Sequence, residues 1–323
     1  MSNRVAIIVG HQGQDGSLLS KLLRQRDYAV LGIGRDTIYS WGEIINQEPC
    51  SLDCQQAVFD VVRSLRPHEI YYLAAHHASS QASKADDIYA DYQRNLAVNT
   101  IGLLNFLEAV RLYSPQTRLF FASSSLIFGS QPLQAQQDEL TQVAPGEPYG
   151  LCKALAGQIC KDYRWQHSIF ASVGILYNHE SSLRSPQYLS MKIVEAALAA
   201  SRGASQPLMV GSLDAVVDWG YAPDYVDAFT RILALDAPDD FVVATGAAHT
   251  VRDFAAVAFG CLGLDWQQYV VQDPSILTRS RSGRVGDSSK LRRLTGWQPS
   301  LPFEEMVILL VDQVSARLQG KRQ

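Results

Sequence analysis

Five short runs that are apolar almost throughout, Val5 to Val9, Tyr28 to Ile33, Ile70 to Ala75, Leu119 to Ser123 and Ser172 to Leu176, constrain this chain more than any other feature. Successive residues of a strand point to opposite sides, so a strand that is apolar on both sides must be covered on both faces. Helix-period stretches lie between the runs: Leu18, Leu19, Leu22 and Leu23 form one stripe, and Ile101, Leu104, Phe106, Leu107 and Val110 form another. Strand, crossover helix and strand in repetition predict a doubly wound parallel sheet in an α/β fold, with the two stripes packed on opposite sheet faces.

Beyond about residue 177 the alternation weakens, and turn-rich segments appear at Ser181 to Gln187 and Arg279 to Ser289. A smaller α/β lobe is expected from 178–213 and 249–323, interleaved with a first lobe of 1–177 to which 214–248 returns through a helix at Asp224 to Leu235. The 323 residues suffice for this, since a chain of that size buries roughly 75% of its unfolded surface. A net charge of −4 without long runs of one sign argues against nucleic acid as a partner. No apolar stretch reaches the roughly 18 residues that span a bilayer, and Met1-Ser2-Asn3-Arg4 leads into a strand without a cleavage site, so a cytoplasmic protein off the membrane is expected. Five cysteines (Cys50, Cys54, Cys152, Cys160 and Cys261), odd in number and scattered, read as free thiols, with no metal site.

Between the first strand and the first helix lies Gly10-His11-Gln12-Gly13-Gln14-Asp15-Gly16. In that context Gly10 makes the tight turn, Gly13 admits a pyrophosphate to the backbone, and Gly16 lets helix and strand close up, while the helix amino terminus faces the anion. A Rossmann-type dinucleotide site follows, holding NAD(P). Arg35, closing the second strand, suits the extra phosphate of NADP, whereas Asp36 suits the free ribose of NAD. The balance tips slightly to NADP.

Tyr149 and Lys153 stand four apart, on one face of a helix if Tyr149 to Trp165 is helical. An ammonium and a positively charged nicotinamide both favour the phenolate, which would lower the tyrosine pKa towards neutrality and make Tyr149 a general base. Ser123, Ser124 and Ser125 follow a strand at the carboxyl edge of the sheet, where one serine can hold a reacting hydroxyl.

The order of glycine loop, serine cluster and Tyr-x-x-x-Lys resembles the extended short-chain dehydrogenases/reductases. Within them, Gly13-Gln14-Asp15-Gly16, Tyr149-Gly150, Gly174 to Ser181, Leu213-Asp214-Ala215, Asp218-Trp219-Gly220, Asp224-Tyr225-Val226, Gly286-Asp287 and Gly296-Trp297 are similar to GDP-mannose 4,6-dehydratases over most of the chain. The resemblance implies a GDP-linked sugar as substrate, a homodimer or homotetramer joined through the helices flanking the catalytic tyrosine, and a role in making a surface polysaccharide. It assigns Ser124, Tyr149 and Lys153 to catalysis. To the cofactor it assigns Gly10, Gln12, Gly13, Gln14, Asp15, Gly16, Arg35, Leu73, Ala75 and Asn99 beside Tyr149 and Lys153. Ser125, Asn178, Arg184, Lys192, Arg279 and Arg281 fall to the substrate, with Arg284 a further candidate for the diphosphate.

Two departures alter the expectation. Where the family carries the glutamate that removes the carbon 5 proton, this chain has Leu126, and leucine transfers no proton. Val217 stands where the family has an arginine before Asp218-Trp219, removing a phosphate contact. The redox step at carbon 4 keeps its residues, so a 4-dehydrogenase, 4-keto reductase or 4-epimerase is expected first. A 4,6-dehydratase using Glu147, His76 or His77 as substitute base is the alternative. His179 reads as structural or cofactor-adjacent. A non-catalytic regulator that only binds cofactor is disfavoured by Tyr149 and Lys153.

Overall fold

A computed structural model of the protein describes residues 4–35, 38–40, 43–46, 51–77, 87–129, 136–276 and 283–320. Its strands are β1 (Val5–Val9), β2 (Ala29–Ile33), β3 (Ile38–Ser40), β4 (Glu43–Asn46), β5 (Glu69–Tyr72), β6 (Arg118–Ser124), β7 (Ala171–Leu176), β8 (Asn178–Glu180), β9 (Leu208–Val210), β10 (Val216–Val217), β11 (Trp219–Tyr221), β12 (Asp240–Val243), β13 (His249–Thr250) and β14 (Val270–Gln272). The helices are α1 (Gln14–Gln25), α2 (Gln55–Leu65), α3 (Ile88–Leu96), α4 (Gly102–Tyr113), α5 (Pro148–His167), α6 (Leu189–Ala200), α7 (Ala222–Leu233), α8 (Val251–Gly260), α9 (Ser289–Thr295) and α10 (Phe303–Gly320).

The central sheet has the order β12-β7-β6-β5-β1-β2-β3-β4. Six strands run parallel, and β3 and β4 extend the β2 edge antiparallel. That edge is absent from the sequence expectation because strands of three and four residues are too short to show a period. Strand β1 has β2 on one side and β5 on the other, so strand order reverses there. The crevice beyond the carboxyl ends of β1 and β5 is where such folds bind ligands.

The double-sided burial of β1 divides cleanly. Ile7 and Val9 join the cluster of α2 and α4, with Val58, Val62, Phe106, Leu107 and Val110. Ala6 and Ile8 join the opposite cluster of α1 and α7, with Leu19, Leu23, Tyr225 and Phe229. The α4 stripe differs from expectation. Its buried face is Leu103, Phe106, Leu107 and Val110, an i, i+3, i+4, i+7 set, while Ile101 and Leu104 are exposed.

A third cluster is built on α6, α8 and α10 with Met191, Val194, Phe254, Phe259, Val307 and Leu310. Within 289–297, Leu291 and Trp297 are buried with α7, and Trp297 Nε1 donates to the Asp224 carbonyl at 2.8 Å. Cys54, Cys152, Cys160 and Cys261 are free thiols, and Cys50 lies outside the described residues. Among the described residues no helix is long and apolar enough to cross a membrane.

Candidate active site

Gly10 follows β1 with φ +91°, and a Cβ on it would come within 2.7 Å of the Ala74 nitrogen beside β5. At Gly16 a Cβ would stand 2.4 Å from both the Gly10 oxygen and His11 Cα. Both contacts are with backbone and cannot swing aside, so the turn and the close seat of α1 require glycine. Gly13 caps α1 with extended backbone and no side chain, which leaves first-turn amides for an anion.

The loop borders a cleft of about 1550 Å³ that also takes in the ends of β5 and β6, the start of α5, and residues around β8 and β10. Gly10, Gln12, Gly13, Gln14, Asp15, Gly16, Arg35, Leu73 and Ala75 all lie on its wall. Gln12 accepts from the Arg35 backbone N–H at 3.4 Å, holding the exposed Arg35 at the far end of β2. Asn99 is not on the described lining. It is fully buried, accepts from the His76 N–H at 3.2 Å and donates to the His76 carbonyl at 3.0 Å and to Asn95 at 2.9 Å. It acts on the cleft by fixing the loop after β5. Asp36 lies outside the described residues.

Ser124 is the last residue of β6, and Tyr149 and Lys153 occupy the first two turns of α5, which Pro148 starts. Ser124 lies beside the Tyr149 side chain, near enough to favour its ionised form. Lys153 is almost wholly buried, donates from Nζ to the Ala122 carbonyl at 2.8 Å and sits 4.8 Å from the Phe121 ring centre. Burial pushes its pKa down to about 7.

The expected acidification of Tyr149 is not achieved by the protein's own groups. Burial and the neighbouring Tyr188 push its pKa up, against the Ser124 hydrogen bond and the charge of Arg184. Lys153 lies 5.7 Å from the Tyr149 ring centre, with its ammonium on a carbonyl. The resting side chain is therefore a neutral phenol.

On the facing wall, Asn178 is exposed to the cleft, Ser125 is buried along it, and Arg184 stacks on the Tyr188 ring at 3.8 Å while pairing with Glu180 at 3.5 Å. Lys192, on α6, is not on the described lining. Arg279 and Arg281 lie outside the described residues. Arg284 reaches the cleft and donates to the Gly129 carbonyl, and Val217 lies nearby.

The three substitute bases separate. His77 lies on the cleft with its ring centre 4.3 Å from that of Tyr149. His76, although on the lining, is tied to Asp91 at 3.2 Å, and Glu147 precedes α5 off the described lining.

Two arrangements escaped sequence reasoning. His179 Nε2 stands 2.9 Å from Asp15 Oδ2. Asp218, 1% exposed, accepts from Thr245 N and Oγ1, Gly246 N and Gly286 N at 3.0, 2.6, 3.0 and 3.2 Å. No spacing rule reaches partners this far apart in sequence; only their place in the strings Asp218-Trp219-Gly220 and Asn178 to Ser181 marks them.

A glycine-loop crevice facing a Ser-Tyr-Lys set on a β-strand and the following helix defines an extended short-chain dehydrogenase/reductase fold. Residues 7–309 match the model of the family described as GDP-mannose 4,6 dehydratase, and the chain belongs to that family. GDP-mannose 4,6 dehydratase 2 of Arabidopsis thaliana is 34% identical, covering 96% of this chain and 86% of that protein. The GDP-mannose 4,6-dehydratase of Sinorhizobium fredii (strain HH103) is 31% identical, covering 99% of each. Among solved structures, RMD from Pseudomonas aeruginosa complexed with NADPH superposes with a TM-score of 0.81 at 19% identity, over 98% of this chain and 100% of that one. The UDP-glucose 4-epimerase of Thermus thermophilus in complex with NAD gives 0.78 at 24% identity, over 96% and 99%.

Proposed function

We propose that this chain transfers hydride reversibly between bound NAD(P) and carbon 4 of a GDP-linked sugar, as a 4-dehydrogenase, 4-keto reductase or 4-epimerase. The carrying observation is that the Ser124–Tyr149 pair stands in the cleft beside Leu126, and no described carboxylate of that cleft is at liberty for elimination. Asp15 pairs with His179, Asp53 accepts from Ser51, Glu180 accepts from Ser190 at 2.7 Å, and Asp218 holds its four donors.

When bound, the nicotinamide supplies the hydride acceptor or donor. Ser124 orients the oxygen on carbon 4, and Tyr149 moves its proton. With its pKa pushed up, the resting Tyr149 is set to donate to a 4-ketone being reduced. Oxidation of the alcohol requires the added positive charge of the oxidised ring. Asn178 and Arg184 face the sugar nucleotide, and the exposed Arg35 favours NADP.

Incubation with GDP-mannose and related GDP-sugars, with each nicotinamide in turn, is expected to change absorbance at the reduced-nicotinamide band or invert carbon 4, without loss of water. A product lighter by one water, seen by mass spectrometry, would overturn this in favour of a 4,6-dehydratase. His77 is the base that would then be examined, because its ring lies against Tyr149. Binding with no turnover would leave a regulator.

We also propose a homo-oligomer joined through α3, α4 and α5, where Ile88, Leu96, Ile101, Leu104, Leu151 and Leu155 are exposed on neighbouring helices. Light scattering at micromolar concentration is expected to give at least twice the chain mass; the mass of one chain would sink this.

A further inference from the structure

The pair between α1 and β8, a buried His179 and a partly buried Asp15, has a geometry that assigns it a task. The ring of His179 has an acceptor at each nitrogen: the Tyr177 carbonyl at 2.7 Å from Nδ1, and Asp15 Oδ2 at 2.9 Å from Nε2. Asp15 Oδ1 in turn accepts from Gln14 Nε2 at 3.1 Å. A carbonyl can only accept, so Nδ1 carries a proton; with Nε2 facing a carboxyl group whose other oxygen already accepts from Gln14, an imidazolium beside an ionised Asp15 is the pairing that satisfies every donor and acceptor of the set. The ring stacks on Tyr225 of α7 at 4.4 Å with 20° between planes, an arrangement that favours a cation.

The pair sits at a sensitive place. Asp15 belongs to the first turn of α1, and that helix end, capped by the bare Gly13, is the one that faces an anion across the crevice. A carboxylate there suits the helix dipole but repels a bound pyrophosphate. The facing strand is also stitched to the loop by two further hydrogen bonds, from Gln14 Nε2 to the His179 carbonyl at 3.1 Å and from Ser181 Oγ to Gln14 Oε1 at 2.8 Å. Asn178 and Glu180, on either side of His179, both line the cleft.

We propose that His179 is a positioning residue for the dinucleotide: its cation neutralises Asp15 so that the α1 amino terminus accepts a pyrophosphate, and it fastens that cradle to the strand facing the sugar nucleotide. This rests on the dinucleotide reading given above. The pKa directions agree. For Asp15, burial is outweighed by the charge and hydrogen bond of His179 and by Gln14, leaving it low; for His179, burial is outweighed by Asp15, leaving it raised even with Arg184 nearby.

The test is a double-mutant cycle read by fluorescence titration of NADPH and NADH on the whole protein. His179→Gln is expected to weaken binding about tenfold, since it leaves one uncompensated charge beside the phosphates. Asp15→Asn removes the charge to be neutralised, so adding His179→Gln to it is expected to cost little, the double variant staying within about threefold of Asp15→Asn. Native-like affinity in His179→Gln, or a double variant as weak as the single, would overturn the proposal, the latter because the loss would then be one of shape and not charge. If His179→Gln does not fold, the native protein answers by nitrogen-resolved NMR. Both ring nitrogens of His179 are expected to be protonated at neutral pH, and one bare nitrogen would sink the idea. Failure of the native protein to bind either nicotinamide would instead count against the proposed function.

Discussion

Replacing Tyr149 by phenylalanine is expected to cut turnover on the responsive GDP-sugar by about a thousandfold, the usual worth of a positioned proton donor or acceptor. Affinities for cofactor and sugar nucleotide should stay within about threefold, because only one oxygen is lost. That oxygen lies beside Ser124, at the end of β6, and belongs to a side chain whose pKa is pushed up by burial and Tyr188. Phenylalanine keeps the ring packed against His77, 4.3 Å away, so the fold and the cleft wall survive. A fall in kcat with constant KM would place the loss in the chemical step. Turnover within tenfold of native would mean that another group, His77 being the candidate on the cleft, carries the proton.

Much of this site can be read from the sequence because it depends on local order. Gly10 and Gly16 are required by a turn spanning seven residues, and Tyr149 and Lys153 share one turn of helix, so spacing alone brings each set together. The strands that are apolar on both sides predict their own burial, as β1 does with Ile7 and Val9 on one face and Ala6 and Ile8 on the other. Lys153 shows where this stops. Its placement follows from the helix, but whether its ammonium reaches Tyr149 or the Ala122 carbonyl depends on β6, 31 residues away in sequence. Asn99 and His179 pose the same difficulty, being polar residues whose partners come from other elements. The α4 stripe fails for another reason: its helix is apolar on more than one side, and periodicity cannot choose between Leu103 and Leu104 when both fit.

Asp218 is the clearest case of a motif residue whose work is structural, and Asp218→Ala is expected to destabilise the protein by about 3 kcal/mol. Its carboxylate accepts from Thr245 N and Oγ1 on one oxygen and from Gly246 N and Gly286 N on the other, at 3.0, 2.6, 3.0 and 3.2 Å. These bonds tie the residue between β10 and β11 to the segment after β12 and to the chain entering α9. Alanine leaves buried donors without an acceptor, each costing far more than a net hydrogen bond contributes. The opposing effect is smaller. Burial raises the Asp218 pKa against those donors, so the folded state binds its proton more readily than the unfolded chain does. The stability owed to this group is therefore complete at low pH and partly lost as pH rises through the folded pKa, and alanine recovers that loss at neutral pH. Asp218→Asn is expected to be a poor rescue, since it turns an amide donor towards the N–H groups of Gly246 and Gly286. Urea unfolding followed by circular dichroism measures both variants. A midpoint for Asp218→Ala equal to that of the native protein would show that the four donors find water or other acceptors, and that these three segments are held together elsewhere.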